Sequence, residues 1–158
     1  MRFQLDYATS ADSTDIAVLF REIVSDLSYY NEQARAAEIS KYTAEELAAK
    51  VAEDPYSVIV VKKENEVVGY CLSRFDDYTI WLEWFGVHPS HRREGIGKLI
   101  LEKLEESARW RECHKVWCGS RTVNIKSYQT LMSGGFSVVA ALKNHWYGQD
   151  FLLWEKLL

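Results

Sequence analysis

The sequence predicts a mixed α/β fold: a largely antiparallel central sheet of about seven strands with about four helices, in one domain over residues 1–158. Two patterns carry this expectation. Apolar residues near the start recur at helical spacing, and after Asp54-Pro55 the segments 57–61, 67–74 and 78–87 turn rich in β-branched and aromatic residues. A hydrophobic content of 47% is enough for a continuous core in a chain of 158 residues.

Taken in order, Phe3, Leu5 and Tyr7 alternate as a short first strand, and Ser10 to Ser13 supply oxygens that cap a helix. Ile16, Leu19, Phe20, Ile23, Val24 and Leu27 then form one buried stripe, and a second helix is expected over 43–51. The polar segment 31–40 between them reads either as a surface loop or as a continuation of the first helix. Short polar joints at 63–66 and 76–77 make the next three strands an antiparallel meander. A helix from about residue 95 shows an apolar face of Ile96, Leu99, Ile100, Leu104 and Ala108. A strand over 115–118, a helix over 124–132 and closing strands over 136–142 and 150–156 complete the chain.

Charge and composition exclude several roles. With 19 Lys and Arg against 23 Asp and Glu, no global positive field gathers nucleic acid. Cys71, Cys113 and Cys118 are odd in number and lack zinc-type pairing, so free thiols in a reducing compartment are expected. The start, from Met1 to Asp6, has no apolar signal core, and no apolar run approaches the roughly 20 residues of a membrane span, which points to a cytoplasmic protein off the membrane. His88, His91 and His114 fit no metal motif.

The most informative stretch is Val87-His88-Pro89-Ser90-His91-Arg92-Arg93-Glu94-Gly95-Ile96-Gly97-Lys98, where a strand ends and a helix begins. Gly95 and Gly97 let an anion approach the unpaired first amides of the helix, and Arg92, Arg93 and Lys98 add positive charge. A pyrophosphate suits this concavity, whereas the P-loop spacing and the three-glycine dinucleotide fingerprint are both absent. The plainer alternative is a capped helix with exposed basic side chains.

On these residues the sequence resembles the GCN5-related N-acetyltransferases: Arg92-x-x-Gly95-x-Gly97 after Val87-His88-Pro89 looks like their acetyl-CoA signature, and Asn124-x-x-Ser127 with Gly135-Phe136 is similar to their second signature. The order of strands and helices matches along essentially the whole chain. The resemblance implies acetyl-CoA as co-substrate between splayed fourth and fifth strands, with pyrophosphate on the amides of Arg93, Glu94, Gly95, Ile96, Gly97 and Lys98. It further implies pantetheine beside the backbone of Phe85, Gly86 and Val87, a cofactor contact from Asn124 in the motif that holds Ser127, and no metal. The acceptor is then a primary amine on a small molecule or a peptide N-terminus, and homodimers are frequent among relatives.

An aliphatic amine has a pKa of about 10.4 and arrives protonated, so a base is needed. Glu83 is the only carboxylate inside the fourth strand, among Trp81, Leu82, Trp84 and Phe85, which would tune it as a base if it faces the cleft. Simple alternation groups Trp81, Glu83 and Phe85 against Ile80, Leu82 and Trp84 unless a bulge intervenes. The family often places an acidic Tyr four residues before its Gly-Phe pair; here that position is Leu131, and Tyr128, one turn earlier, is the candidate acid. The departure at Leu131 motivates a second reading, a catalytically weak acyl-CoA sensor or partner module, and an aromatic docking edge a third. The aromatic loop 143–150 is a candidate border of the acceptor pocket.

Overall fold

The computed structural model describes residues 3–158; Met1 and Arg2, with which the reading of the chain's start begins, lie outside the described residues. The elements are β1 (Gln4–Tyr7), α1 (Ser13–Asp26), α2 (Glu32–Lys41), α3 (Ala44–Glu53), β2 (Val58–Lys63), β3 (Glu66–Asp76), β4 (Thr79–Val87), α4 (Ile96–Trp110), β5 (Lys115–Arg121), α5 (Ile125–Ser133), β6 (Ser137–Leu142) and β7 (Phe151–Leu157). They build the expected mixed sheet, with seven strands in the order β1-β2-β3-β4-β5-β7-β6 among the described residues. All neighbours are antiparallel except β4 and β5, which run parallel.

The segment left open between loop and helix is a helix of its own, α2. Leu27 turns extended (φ −79°, ψ 101°) and ends α1, so α2 is no continuation of it. Its N-cap is Asn31, whose side chain accepts from the Ala34 amide at 2.8 Å. Good helix formers then carry it to Lys41, and only Ala34 is buried, so capping and propensity sustain this helix more than an apolar stripe does.

Two cores flank the sheet. The α1 stripe of Ile16, Leu19, Phe20, Ile23 and Val24 packs with Leu47 of α3 on Val58, Val60, Tyr70 and Leu72. On the other face, Ile96, Ile100, Leu101, Leu104 and Ala108 of α4 cover Ile59, Val61, Cys71, Ile80, Leu82, Val116 and Cys118. Leu101 takes the buried place expected of Leu99, which is exposed. The reason is α5: a Cβ on Gly134 would come within 3.2 Å of the Leu101 side chain, so the flank of α4 beside that helix is the covered one. Each fully buried large aliphatic side chain contributes roughly 1.5–3 kcal/mol.

Two irregularities in β4 shape the site. Between β3 and β4 the register passes from Leu72↔Trp84 to Ser73↔Leu82, which leaves Glu83 as the extra residue of a bulge. Simple alternation is therefore corrected: Trp84 joins the α1 side, while Phe85 and Val87 pack with Ile80 and Leu82 on the α4 side. The β4–β5 pairing runs only from Thr79↔Lys115 to Leu82↔Cys118, yet β5 stays paired to β7 as far as Arg121↔Phe151. Beyond Leu82 and Cys118 the parallel strands part.

Candidate active site

The parting opens a cleft of about 1630 Å³. Glu83, Phe85, Gly86, Val87, Arg92, Arg93, Gly95, Ile96, Gly97, Lys98, Asn124 and Ser127 all line it. Two expected residues do not: Glu94, whose Oε1 lies 3.4 Å from His91 Nδ1, and Tyr128, whose half-exposed ring meets Trp154 edge-on at 5.2 Å. Leu131 does line the cleft and is fully buried.

The floor of one end is the start of α4. Arg93 (φ 64°) and Gly95 (φ 82°) are both left-handed and swing the chain from the turn at Pro89–His91 into the helix. Gly95 is required by its backbone angle, because a Cβ there would meet nothing within 4 Å. At Gly97 the backbone is helical and a Cβ would touch only Thr130 Cγ2 at 3.8 Å, so packing within the protein does not demand glycine; the space is open on the cleft side. The first helical bond recorded is Leu99 N–H to Gly95 at 3.2 Å, so the amides of Ile96, Gly97 and Lys98 are the unpaired donors of the helix start. Together with Arg92 and Arg93 they form an anion-binding concavity. Arg92 Nε donates to the Val87 carbonyl at 3.3 Å and ties this loop to the end of β4. Asn124 is the N-cap of α5: it accepts from Ser127 N at 3.1 Å and donates to Ser127 Oγ at 2.8 Å.

Across the cleft, the bulge aims Glu83 at the helical layer. Its Oε2 accepts from Tyr42 Oη at 2.8 Å and its Oε1 from Lys50 Nζ at 2.5 Å. Hydroxyl and ammonium thus surround the carboxylate, in place of the apolar neighbours the sequence suggested. Burial, with the Glu83 charge adding to it, pushes the Tyr42 phenol well up, so Tyr42 stays a hydrogen-bond donor.

A second carboxylate was missed by sequence reasoning. Glu38 accepts from Trp84 Nε1 at 3.3 Å and from Tyr147 Oη at 2.9 Å, and its side chain is 13% exposed beside 16% for Glu83. It sits on α2, in the segment whose structure was open, four residues before Tyr42, the C-cap of that helix. The aromatic loop 143–150 closes over this end: Asn31 Nδ2 donates to the Tyr147 carbonyl at 3.0 Å, and Gln149 Nε2 to the Tyr29 carbonyl at 2.7 Å. Trp81 stacks edge-on with Trp117 at 4.6 Å and leans on Trp146 at 6.1 Å, so aromatic rings wall the space. Among the described residues no three His, Cys, Asp or Glu side chains converge as a metal site, and no helix is long and apolar enough to cross a membrane.

This geometry agrees with what the chain is similar to. The aminoglycoside N(6')-acetyltransferase type 1 of Klebsiella aerogenes is 29% identical over 108 residues, covering 63% of this chain and 71% of the relative. The L-amino acid N-acyltransferase MnaT of Escherichia coli is 28% identical over 159 residues, covering 96% and 88%. Three further acetyltransferases match over half of their own length, 50%. In fold, the PaiA N-acetyltransferase of Thermoplasma acidophilum in complex with coenzyme A superposes with a TM-score of 0.85 over 100% of both chains at 17% identity. The model of the acetyltransferase (GNAT) family matches residues 20–134, from α1 through the parted strands to the end of α5, and the chain belongs to that family.

Proposed function

We propose that the protein works as one domain that transfers the acetyl group of acetyl-CoA to a primary amine by direct attack, in a reducing, cytoplasmic compartment. The observation that carries this reading is the parting of β4 and β5 beyond Leu82 and Cys118, which leaves one edge of residues 83–87 without a strand partner next to the free amides of α4. Acetyl-CoA, as co-substrate, supplies an activated acyl thioester. Ile96, Gly97 and Lys98 offer their amides, and Arg92 and Arg93 their charge, to its pyrophosphate. The open backbone of Phe85, Gly86 and Val87 receives its pantetheine amides, and a β4 amide polarises the thioester carbonyl.

On the acceptor side Glu83 is the base. An ammonium entering between Glu83 and the aromatic wall loses a proton to the carboxylate, directly or through a water, while Lys50 and Tyr42 hold that carboxylate in place. Nitrogen then bonds to the acyl carbon as the carbon–sulfur bond breaks, and the second proton that the nitrogen sheds passes to solvent or, after departure, to the thiolate. The sulfur leaves as a thiolate whose conjugate acid has a pKa of about 8.5, so a side-chain acid is dispensable. That is consistent with Leu131 standing buried where relatives often carry a phenol, and with Tyr128 outside the cleft lining. Positioning and backbone polarisation supply the remainder.

Thiol release from acetyl-CoA in the presence of amines tests the reading, with Glu83→Gln beside the parent. A general base is worth roughly 10²–10⁴-fold, and a loss in kcat of that order is expected with the KM for acetyl-CoA unchanged. An unaltered kcat places the base elsewhere. Tight acetyl-CoA binding without thiol release for any amine favours the sensor reading that Leu131 motivates.

A further inference from the structure

Arg121 is the only Lys or Arg in the buried core among the described residues, 8% exposed at the end of β5, and it lines the cleft. Four other well-covered cations have acids, Lys50 with Glu83, Arg111 with Asp54, Lys62 with Asp12 and Lys156 with Glu105, while Arg35 gives its Nη2 to the Leu27 and Tyr30 carbonyls. Arg121 has no such acid among the described residues. Its guanidinium carbon stands 3.6 Å from the centroid of the Tyr30 ring and 5.0 Å from that of Phe151, a stacked cation between two aromatic faces. Nε donates to Gln149 Oε1 at 2.8 Å, and Gln149 is held in turn by its bond to the Tyr29 carbonyl. Nη2 is buried without a hydrogen-bond partner, and the guanidinium also meets the Tyr30 phenol, where its charge and hydrogen bond work against the burial that pushes that phenol up.

A buried charge without a counter-charge costs free energy, and stacking offsets only part of it. What the site does is orient the fork. With Nε committed to Gln149 and the plane fixed by Tyr30 and Phe151, Nη2 is the unmatched donor of the fork, and the edge that carries it suits a carboxylate oxygen. The location is on the acceptor side. Trp117, Gly119 and Arg121 share one face of β5; Trp117 touches Trp81, a Cβ on Gly119 would run into Trp146, and Tyr30 lies 5.7 Å from Trp84, the neighbour of Glu83. The acceptor side of the cleft therefore carries both signs, the carboxylates of Glu83 and Glu38 and the guanidinium of Arg121.

We propose that the acceptor amine carries a carboxylate, as an amino acid does, and that Arg121 receives it while the amine faces Glu83. This rests on the acyl-transfer reading and narrows its substrate class. Gln149 is a positioning residue for the guanidinium.

The test is steady-state thiol release by the full chain with matched acceptors: the twenty proteinogenic amino acids, their decarboxylated amines and their α-amides, together with simple polyamines. For the amino acid used best, kcat/KM is expected to exceed that of its decarboxylated and amidated counterparts by roughly 10- to 100-fold, the loss when a charge-assisted pair is removed. Arg121→Gln is expected to erase that difference and leave the KM for acetyl-CoA unchanged, and Arg121→Lys to restore part of it. The parent's own preference decides the matter if either variant fails to fold. Acetylation of amines with no preference for the carboxylate overturns the proposal and leaves acyl transfer standing. A rise in the KM for acetyl-CoA in Arg121→Gln, with the acceptor preference intact, also overturns it, by assigning the guanidinium to the co-substrate. Thiol release with no acceptor overturns acyl transfer itself, and this proposal with it.

Discussion

Replacing Gly97 by Glu separates stability from function, because the structure assigns the two effects opposite signs. Gly97 is helical, and an added Cβ meets only Thr130 Cγ2 at 3.8 Å, so the substitution creates no clash. Exchanging Gly for Glu inside a helix gains about 0.5 kcal/mol in propensity. A negative charge in the first turn of a helix adds about 0.3–1 kcal/mol through the helix dipole. The sum, about 1 kcal/mol, raises Tm by about 2–4 °C in a chain of this size. The same carboxylate stands where the pyrophosphate is proposed to lie, fills the open space and meets like charge, which costs on the order of a hundredfold in affinity. Thermal unfolding followed by circular dichroism gives the first quantity, and calorimetric titration with acetyl-CoA the second. A variant more stable than the parent that no longer takes up acetyl-CoA fits both expectations. If it binds acetyl-CoA as the parent does, the amides of that turn are not the phosphate seat, and the reasoning about the glycine loop fails.

Three further outcomes follow from particular contacts. Tyr42→Phe removes the 2.8 Å hydroxyl from Glu83 and leaves Lys50 as its partner, so kcat is expected to fall by roughly tenfold with no change in the KM for acetyl-CoA, read by the same thiol-release assay. Burial alone pushes the Asp12 carboxyl up, but the bond and charge of Lys62 and the bonds from Thr9 together hold it below its ordinary 3.8; at Glu105 burial acts the same way, and the bonds and charges of Lys156 and Arg109 hold it below its ordinary 4.5. Both carboxylates bind a proton less readily folded than unfolded, so their contribution is complete above those ordinary values and is lost as the pH falls through the lower folded ones; Asp12→Asn should flatten the acid limb of stability in denaturant titrations. Burial pushes the Cys118 thiol up to about 12 and raises Cys71 and Cys113 as well, so an aromatic disulfide reagent at pH 8 should find the three cysteines unreactive in the native protein and titrate them on unfolding.

Much of the fold was legible because its signals are local. The meander after Asp54-Pro55, the α1 stripe and the glycine turn before α4 each announce themselves within a dozen residues, and the elements fall close to where periodicity put them. What escaped depends on partners distant in sequence. The bulge at Glu83 is a property of the β3–β4 register, so no reading of β4 alone groups Glu83 with Trp84. Helix α2 lacks an apolar stripe, and with its structure open the role of Glu38 could not be inferred; the Asn31 cap was the one available signal. Arg121 lay beyond the predicted end of the fifth strand at residue 118, and its meaning comes from Tyr30, Gln149 and Phe151, which three other parts of the chain deliver. Leu99 and Leu101 exchange roles because α5 lies against one flank of α4, which helical periodicity by itself does not reveal.

The most direct measurement is the stoichiometry of the reaction: free thiol released from acetyl-CoA, and acetylated amine formed, counted together by absorbance and mass spectrometry in a single incubation across the acceptor panel. The account predicts one acetylated amine per thiol, no release without an acceptor, and near-total loss in Glu83→Gln. Acetyl-CoA bound at the cleft with no acetylated amine from any acceptor would contradict it.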